Sequence, residues 1–253
     1  MIVGTFSLFH IIYMLIAVPL FVGGLILIKK FVKSEKTINL ILDIAAGVLL
    51  TIVVIERIDI VYENLKEGTT YVVFGETRGY NWWMLLPDSI CGLCSLLLPF
   101  FIWFKRKGNN YLVESLFTVI MIGTLVNIFY PSYINDEPIN QVRCWGGLVH
   151  HYISGFLAML MLLFHKFEPS IKRWYLNIIA LTVIIAYGYF CITVLKFAKC
   201  MYIEAPLFES VPFSRWYGMY LVAYIPINII FLVVWELIKK YRAKKKSAIV
   251  EEQ

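Results

Sequence analysis

Residues 5–36 read TFSLFHIIYMLIAVPLFVGGLILIKKFVKSEK, an apolar run closed by Lys29, Lys30, Lys33 and Lys36. A helix of roughly 20 apolar residues crosses the hydrocarbon of a bilayer, and residues 5–28 meet that length. Six further runs follow near 38–56, 82–104, 111–130, 146–165, 174–195 and 216–238. Basic clusters fall on every second connection: Lys105, Arg106 and Lys107 after the third run, and Lys166, Lys172 and Arg173 after the fifth. The tail after the seventh run carries Lys239, Lys240, Arg242, Lys244, Lys245 and Lys246. Sixteen Lys or Arg lie on those connections and the tail, against seven on the others. Basic loops are retained in the cytoplasm, so the amino terminus is expected outside and the carboxyl tail inside. The net charge of +6 is then a topological signal rather than a nucleic-acid footprint.

The composition agrees: 60% hydrophobic against 16% charged residues cannot supply the polar surface that encloses a soluble core. The expectation is an all-α polytopic bundle of about seven transmembrane helices over 1–240, followed by a basic cytoplasmic tail over 241–253. The first run begins next to Met1 without a basic leader and outlasts a signal's apolar core, so a removable signal peptide is not expected. Asp59, Glu63, Glu67, Glu76, Asp136, Glu137, Glu204 and Glu209 collect on the outer connections, and aromatic residues such as Trp82, Trp83, Trp145 and Trp174 gather at headgroup depth.

The longest connection, 57–81, contains Gly68, Gly75 and Gly79 around the β-prone stretch Tyr71 to Phe74, which reads as a small cap or hairpin. The fourth holds Pro131 and Pro138 about Asn135 and Asp136, and the sixth holds Pro206 and Pro212. Cys144 and Cys200 fall on those two outer connections; a disulfide and two separate thiols are both compatible with that placement. Cys91 and Cys94 have the C-x-x-C spacing but no second pair to complete a metal set, so neither metal nor cofactor is expected.

Ionisable groups at membrane depth are expensive and turn toward an interior or a cavity. Asp88, Ser89, Cys91, Cys94 and Ser95 lie in the third run, His150, His151 and Ser154 in the fifth, and Asn127 ends the fourth. The second run brings Asp43 near its start and Glu56 with Arg57 near its outer end. Counting residues from the predicted helix ends puts Cys91, His150, His151, Asn127, Glu56 and Arg57 in one outer layer, with Asp43 near the inner end of its run. As a continuous helix, the third run would set Asp88, Cys91 and Ser95 on one face, kinked by Pro87. A thiol there attacks an acyl carbonyl if a histidine takes its proton and Asp88 or Asn127 orients the ring. Adjacent helical residues diverge by about 100°, so only one of His150 and His151 can face Cys91. Plainer roles stand beside this chemistry: a buried cysteine packs as a small hydrophobe, and histidines bond neighbouring helices. His10 and His165 read as interfacial, and Asp43 as a packing contact or part of an ion route.

The stretch Leu86-Pro87-Asp88-Ser89-Ile90-Cys91 resembles the "LPLHLC" segment of the YwaF-like bacterial integral membrane proteins. Asn127-Ile128-Phe129-Tyr130-Pro131 is similar to that family's helix running into a proline. Gly147-Leu148-Val149-His150-His151 is similar to its histidine at a helix mouth. Cys200-Met201-Tyr202-Ile203-Glu204-Ala205-Pro206, with Pro212, Trp216 and Tyr217, resembles its last outer loop. The helical arrangement is in turn similar to eukaryotic multi-pass lipid acyltransferases with a cysteine and a histidine in corresponding helices. The resemblance implies Cys91 as nucleophile, His150 or His151 as base, an acyl lipid as substrate and the bacterial cytoplasmic membrane as location. One departure is that Ser89 replaces the family's histidine two residues before the cysteine.

Two other classes remain open on sequence. A small-molecule or ion transporter, or a non-catalytic lipid-binding protein, would use Asp43, Glu56 and Asp88 and tolerate loss of the thiol. A regulatory membrane component would co-purify with a partner. All three share membrane lipids as their surroundings.

Overall fold

The computed structural model describes residues 2–3, 6–104, 108–131, 137–138, 141–201, 203, 218 and 220–251. Seven α-helices appear among them: α1 (Leu8–Phe31), α2 (Glu35–Glu67), α3 (Ile90–Phe104), α4 (Tyr111–Phe129), α5 (Val142–Leu163), α6 (Tyr175–Thr193) and α7 (Ile225–Glu251). Six of the helices are long and apolar enough to cross a membrane, and the seventh, α3, has 15 residues. The chain is a multi-pass membrane protein built as an all-α bundle.

Helix α4 is the hub. It packs against α3, α5 and α6, while α2 packs across α3 and α5. Small residues allow the closest approach: a β-carbon on Gly155 of α5 would come within 2.4–2.8 Å of three Thr124 side-chain atoms on α4. Within a membrane, helices associate through such close packing and interhelical hydrogen bonds. Both appear here, since the Thr124 hydroxyl lies 2.9 Å from both Ile120 O and His151 O and shares its one hydrogen between them.

The connections that carry the basic clusters meet at one end of the bundle. Lys29 Nζ donates to Leu163 O at 2.7 Å, and Lys166 pairs with Glu35 at 3.1 Å. Glu114 accepts from Arg173 Nε at 3.0 Å, and the Asn110 amide donates to Lys166 O at 3.0 Å. Lys105, Arg106 and Lys107 lie outside the described residues, as do Asn135, Asp136, Glu204, Pro206, Glu209, Pro212, Trp216 and Tyr217.

Three helix boundaries differ from those read by hydropathy. Helix α2 runs eleven residues past 56, because 57–67 retain good helix formers, and ends where Gly68 takes the left-handed conformation at φ +66°. A hairpin follows as expected, β2 (Thr70–Val73) against β3 (Glu76–Gly79), turned by Phe74 and Gly75 with φ of 50° and 82°. Positive φ at both positions matches the twist of a two-residue turn. The third helix begins only at Ile90, after a 3-10 turn at Trp82–Leu85. Helix α7 opens from a π-helical turn, Tyr220–Tyr224. Pro226, one residue into α7, has no N–H to give its fourth predecessor. The helix then continues through the basic tail to Glu251.

At the opposite end, β1 (Ile2–Val3) pairs antiparallel with β4 (Glu137–Pro138). His10, expected at the interface, is fully buried: the Phe6 amide donates to its Nδ1 at 2.9 Å, and Nε2 lies 3.0 Å from Ile128 O. Because Nδ1 accepts, Nε2 carries the hydrogen and the ring is the neutral tautomer that ties α1 to α4.

Candidate functional site

The site grows from the irregular chain before α3. Pro87 cannot donate a backbone hydrogen bond, so the helix cannot run through it. Ser89 restarts the helix as its cap: Ser89 Oγ accepts the Gly92 amide at 3.1 Å and Ser89 O the Leu93 amide at 3.0 Å. Asp88, Cys91 and Ser95 therefore do not share one helical face, and Pro87 precedes α3 instead of kinking it. Cys91 occupies the first turn of α3, half-buried, where free backbone N–H groups favour negative charge on a ligand or side chain.

Gly123 of α4 lies against both the Cys91 thiol and the His151 ring. A β-carbon built on Gly123 would stand 2.8 Å from Cys91 Sγ and 3.6 Å from His151 Nδ1. Any side chain there would displace the sulfur, so the glycine leaves the space in which both groups converge. His151 is the histidine on the Cys91 side. His150, about 100° around α5, faces α2, where its Nδ1 lies 2.6 Å from Glu56 Oε2. The two imidazoles remain in contact, with centroids 4.3 Å apart.

Glu56 is the carboxylate that orients a ring in this site. An ionised carboxylate only accepts, so His150 Nδ1 carries the hydrogen and Nε2 is turned the other way. That Nε2 is buried without a hydrogen-bond partner among the described residues. Gly146 of α5 makes room for the pair, since a β-carbon there would lie 3.0 Å from Glu56 Cδ and Cγ. Below the histidines, Ser95 and Ser154 share a 2.8 Å hydrogen bond, and Ser154 donates to His150 O at 2.6 Å.

Asp88 is occupied elsewhere. Arg57 Nη1 holds its carboxylate at 2.8 Å, with both side chains 10% exposed, while Arg57 Nη2 donates to Met84 O and Leu86 O. Met201 donates its amide to Asp88 O at 2.7 Å, and Tyr187 its hydroxyl to Pro87 O at 2.8 Å. The non-helical lead-in to Cys91 is thus fixed by α2, α6 and the loop after α6. Buried Asn127 donates through Nδ2 to Leu148 O at 3.3 Å, linking α4 to α5 one turn from the histidines.

Cys144 and Cys200 are both buried, and no disulfide joins them. Cys200 instead interacts with the Cys191 thiol at the end of α6. Outside the helices, the Arg78 guanidinium beside Glu76, bonding it at 2.8 Å, holds that carboxyl below the usual range.

Sequence reading placed the thiol and the histidines in one layer, and the structure brings them together there. It missed the Glu56 pairing and the role of Gly123. The adjacent charges of Glu56 and Arg57 in an apolar run were a signal, but their partners depend on helix rotation.

Comparisons with curated proteins and with solved structures give no match. A family model matches residues 5–238, nearly the whole chain. On that match the chain belongs to the TMEM164 family.

Proposed function

We propose that the chain is a membrane lipid acyltransferase or acyl hydrolase, with Cys91 as nucleophile and His151 as base. The observation that supports it is the convergence of Cys91 Sγ and the His151 ring on Gly123. His151 takes the thiol proton as sulfur attacks the ester carbonyl of an acyl lipid. The tetrahedral intermediate collapses to a thioester on Cys91, and the leaving alkoxide takes the proton back from His151. An acceptor alcohol, or water, then attacks the thioester with its proton passing to His151, and the thiol is restored. His150, oriented by Glu56, lies tilted against His151 and positions it; Asn127 braces α4 against α5 behind the ring. Asp88 acts through Arg57 on the height of the Cys91 turn.

The resemblance of the 86–91 and 147–151 segments to the YwaF-like proteins and the cysteine/histidine acyltransferases supports the same reading. It adds a bacterial cytoplasmic membrane, and the alternation of basic loops turns the amino terminus and the thiol toward the outer leaflet. Of Asp43, Glu56 and Asp88, the carboxylates a transporter would use, Glu56 and Asp88 are engaged, with His150 and Arg57 respectively.

The test is intact-protein mass spectrometry of the detergent-solubilised chain after incubation with phospholipid, together with an assay of acyl transfer and release. A hydroxylamine-sensitive acyl adduct that maps to Cys91 is expected, and C91A should lose turnover while keeping its helicity. Equal turnover by C91A would remove the nucleophile assignment.

A further inference from the structure

A second site lies on the far side of α3 from His151, and it does not depend on the thiol chemistry. Away from the Tyr187–Pro87 contact, residues of α3, α4 and α6 line a cavity of about 260 Å³. Leu93, Leu97 and Phe101 line it from α3, Ala180 and Val183 from α6, and Ser115 from α4. The α3 residues stand four apart, so they form one stripe about 12 Å long at 1.5 Å per residue, parallel to the helix axis.

This space is unsuited to water. A buried water needs two to four polar partners, and Ser115 Oγ already donates to Leu112 O at 2.8 Å. A closed apolar cavity of roughly 150 Å³ is enough to hold benzene, and this one is larger. It is also open sideways, since Val183 and Leu112 on its lips are exposed. In a chain that spans a bilayer, the medium against those lips is acyl chain.

The end of the groove shows which lipid would fit. Tyr111 closes it, and the Arg173 guanidinium lies over the Tyr111 ring at 5.2 Å from its centroid. Lys172 is exposed beside it, and the exposed Trp174 and Tyr175 rings sit at the same level. Aromatic rings next to cations are the signature of headgroup depth, and cations there attract anionic lipid. We infer that the α3–α6 groove binds one acyl chain of an anionic glycerophospholipid whose phosphate rests against Lys172, since Arg173 is already paired with Glu114.

The experiment uses the full chain reconstituted in phosphatidylcholine vesicles with phosphatidylglycerol that carries a mid-chain diazirine, irradiated and mapped by peptide mass spectrometry. Adducts should concentrate on 93–101 and 176–184. A180F, and independently S115L from the opposite wall, should lower them at least tenfold, while V22F on the exposed face of α1 leaves them unchanged. K172Q should lower labelling by phosphatidylglycerol about fivefold, the worth of one lysine near an anionic surface, and spare labelling by a phosphatidylcholine diazirine. Adducts spread evenly over exposed helix faces, or persisting in folded A180F and S115L, would overturn the site. Equal loss of both lipids in K172Q would overturn the headgroup assignment. C91A should label like the parent, which keeps this test separate from the nucleophile's.

Discussion

The two ends of the bundle solve the membrane's polar problem in different ways. Near Cys91, ionisable side chains are buried and matched in pairs across helices: Arg57 with Asp88 and Glu56 with His150, each about one-tenth exposed or less. At the other end, Lys29 and Lys239 reach outward to Leu163 O and Glu168, while largely buried Lys166 pairs with exposed Glu35 and Arg173 packs against buried Glu114. The first end keeps charges inside the bundle at a high solvation cost; the second keeps most of its cations in contact with water and headgroups. Burial of unused charge is hard to account for by packing alone, which is why the first end reads as the site.

The largest effect should come from opening a buried pair. R57M leaves Asp88 uncompensated and strips donors from Met84 O and Leu86 O, and should destabilise the chain by about 3–5 kcal/mol. R57M/D88L should recover most of that loss, read as the midpoint of thermal unfolding in detergent. A double variant no more stable than R57M would show that the pair holds the lead-in through the carbonyls rather than through its charge. The next effect sits at the α4–α5 contact: G155A drives a methyl into Thr124 and should cost about 1–3 kcal/mol. G123A is expected to be milder for stability, because its methyl meets a movable thiol, yet to depress acyl transfer more strongly than G155A. If G155A lowers turnover more than G123A, the convergence on Gly123 is not the reacting geometry.

The smallest effect belongs to the exposed hairpin. Arg78 favours the charged form of Glu76, so this contribution is present above the ordinary carboxylate range and fades as pH falls through the lowered folded value. On a fully exposed carboxylate water screens the pair, and E76Q should melt with the parent at pH 7. A shift as large as that of G155A would mean the hairpin carries the bundle.

Much of this arrangement was legible in the residues. Apolar length found the helices, and alternating basic loops correctly gathered the ends of α1, α3 and α5 with the start of the tail. Hydropathy failed at Glu56, where α2 leaves the apolar run but helix propensity carries it on to Gly68, and at Pro87, where an apolar run is not a continuous helix. Within the site, residue counting gave the common depth of Cys91 and the histidines. It could not give rotation: these helices are apolar nearly all round, so no polar stripe marks an inward face. Which histidine met the thiol, and that Glu56 rather than Asp88 met a histidine, required the packed helices themselves.

The lead-in 81–89 has a consequence for tolerance to insertion. Asn81 Nδ2 reaches Leu195 O and Lys196 O, Arg57 holds Met84 O and Leu86 O, Tyr187 holds Pro87 O, and Met201 holds Asp88 O. Such a tethered strand cannot absorb an added residue by sliding. One extra position between Ser89 and Cys91 would swing the sulfur about 100° around its axis, away from Gly123, whereas the same insertion in the hairpin turn would be taken up at the surface.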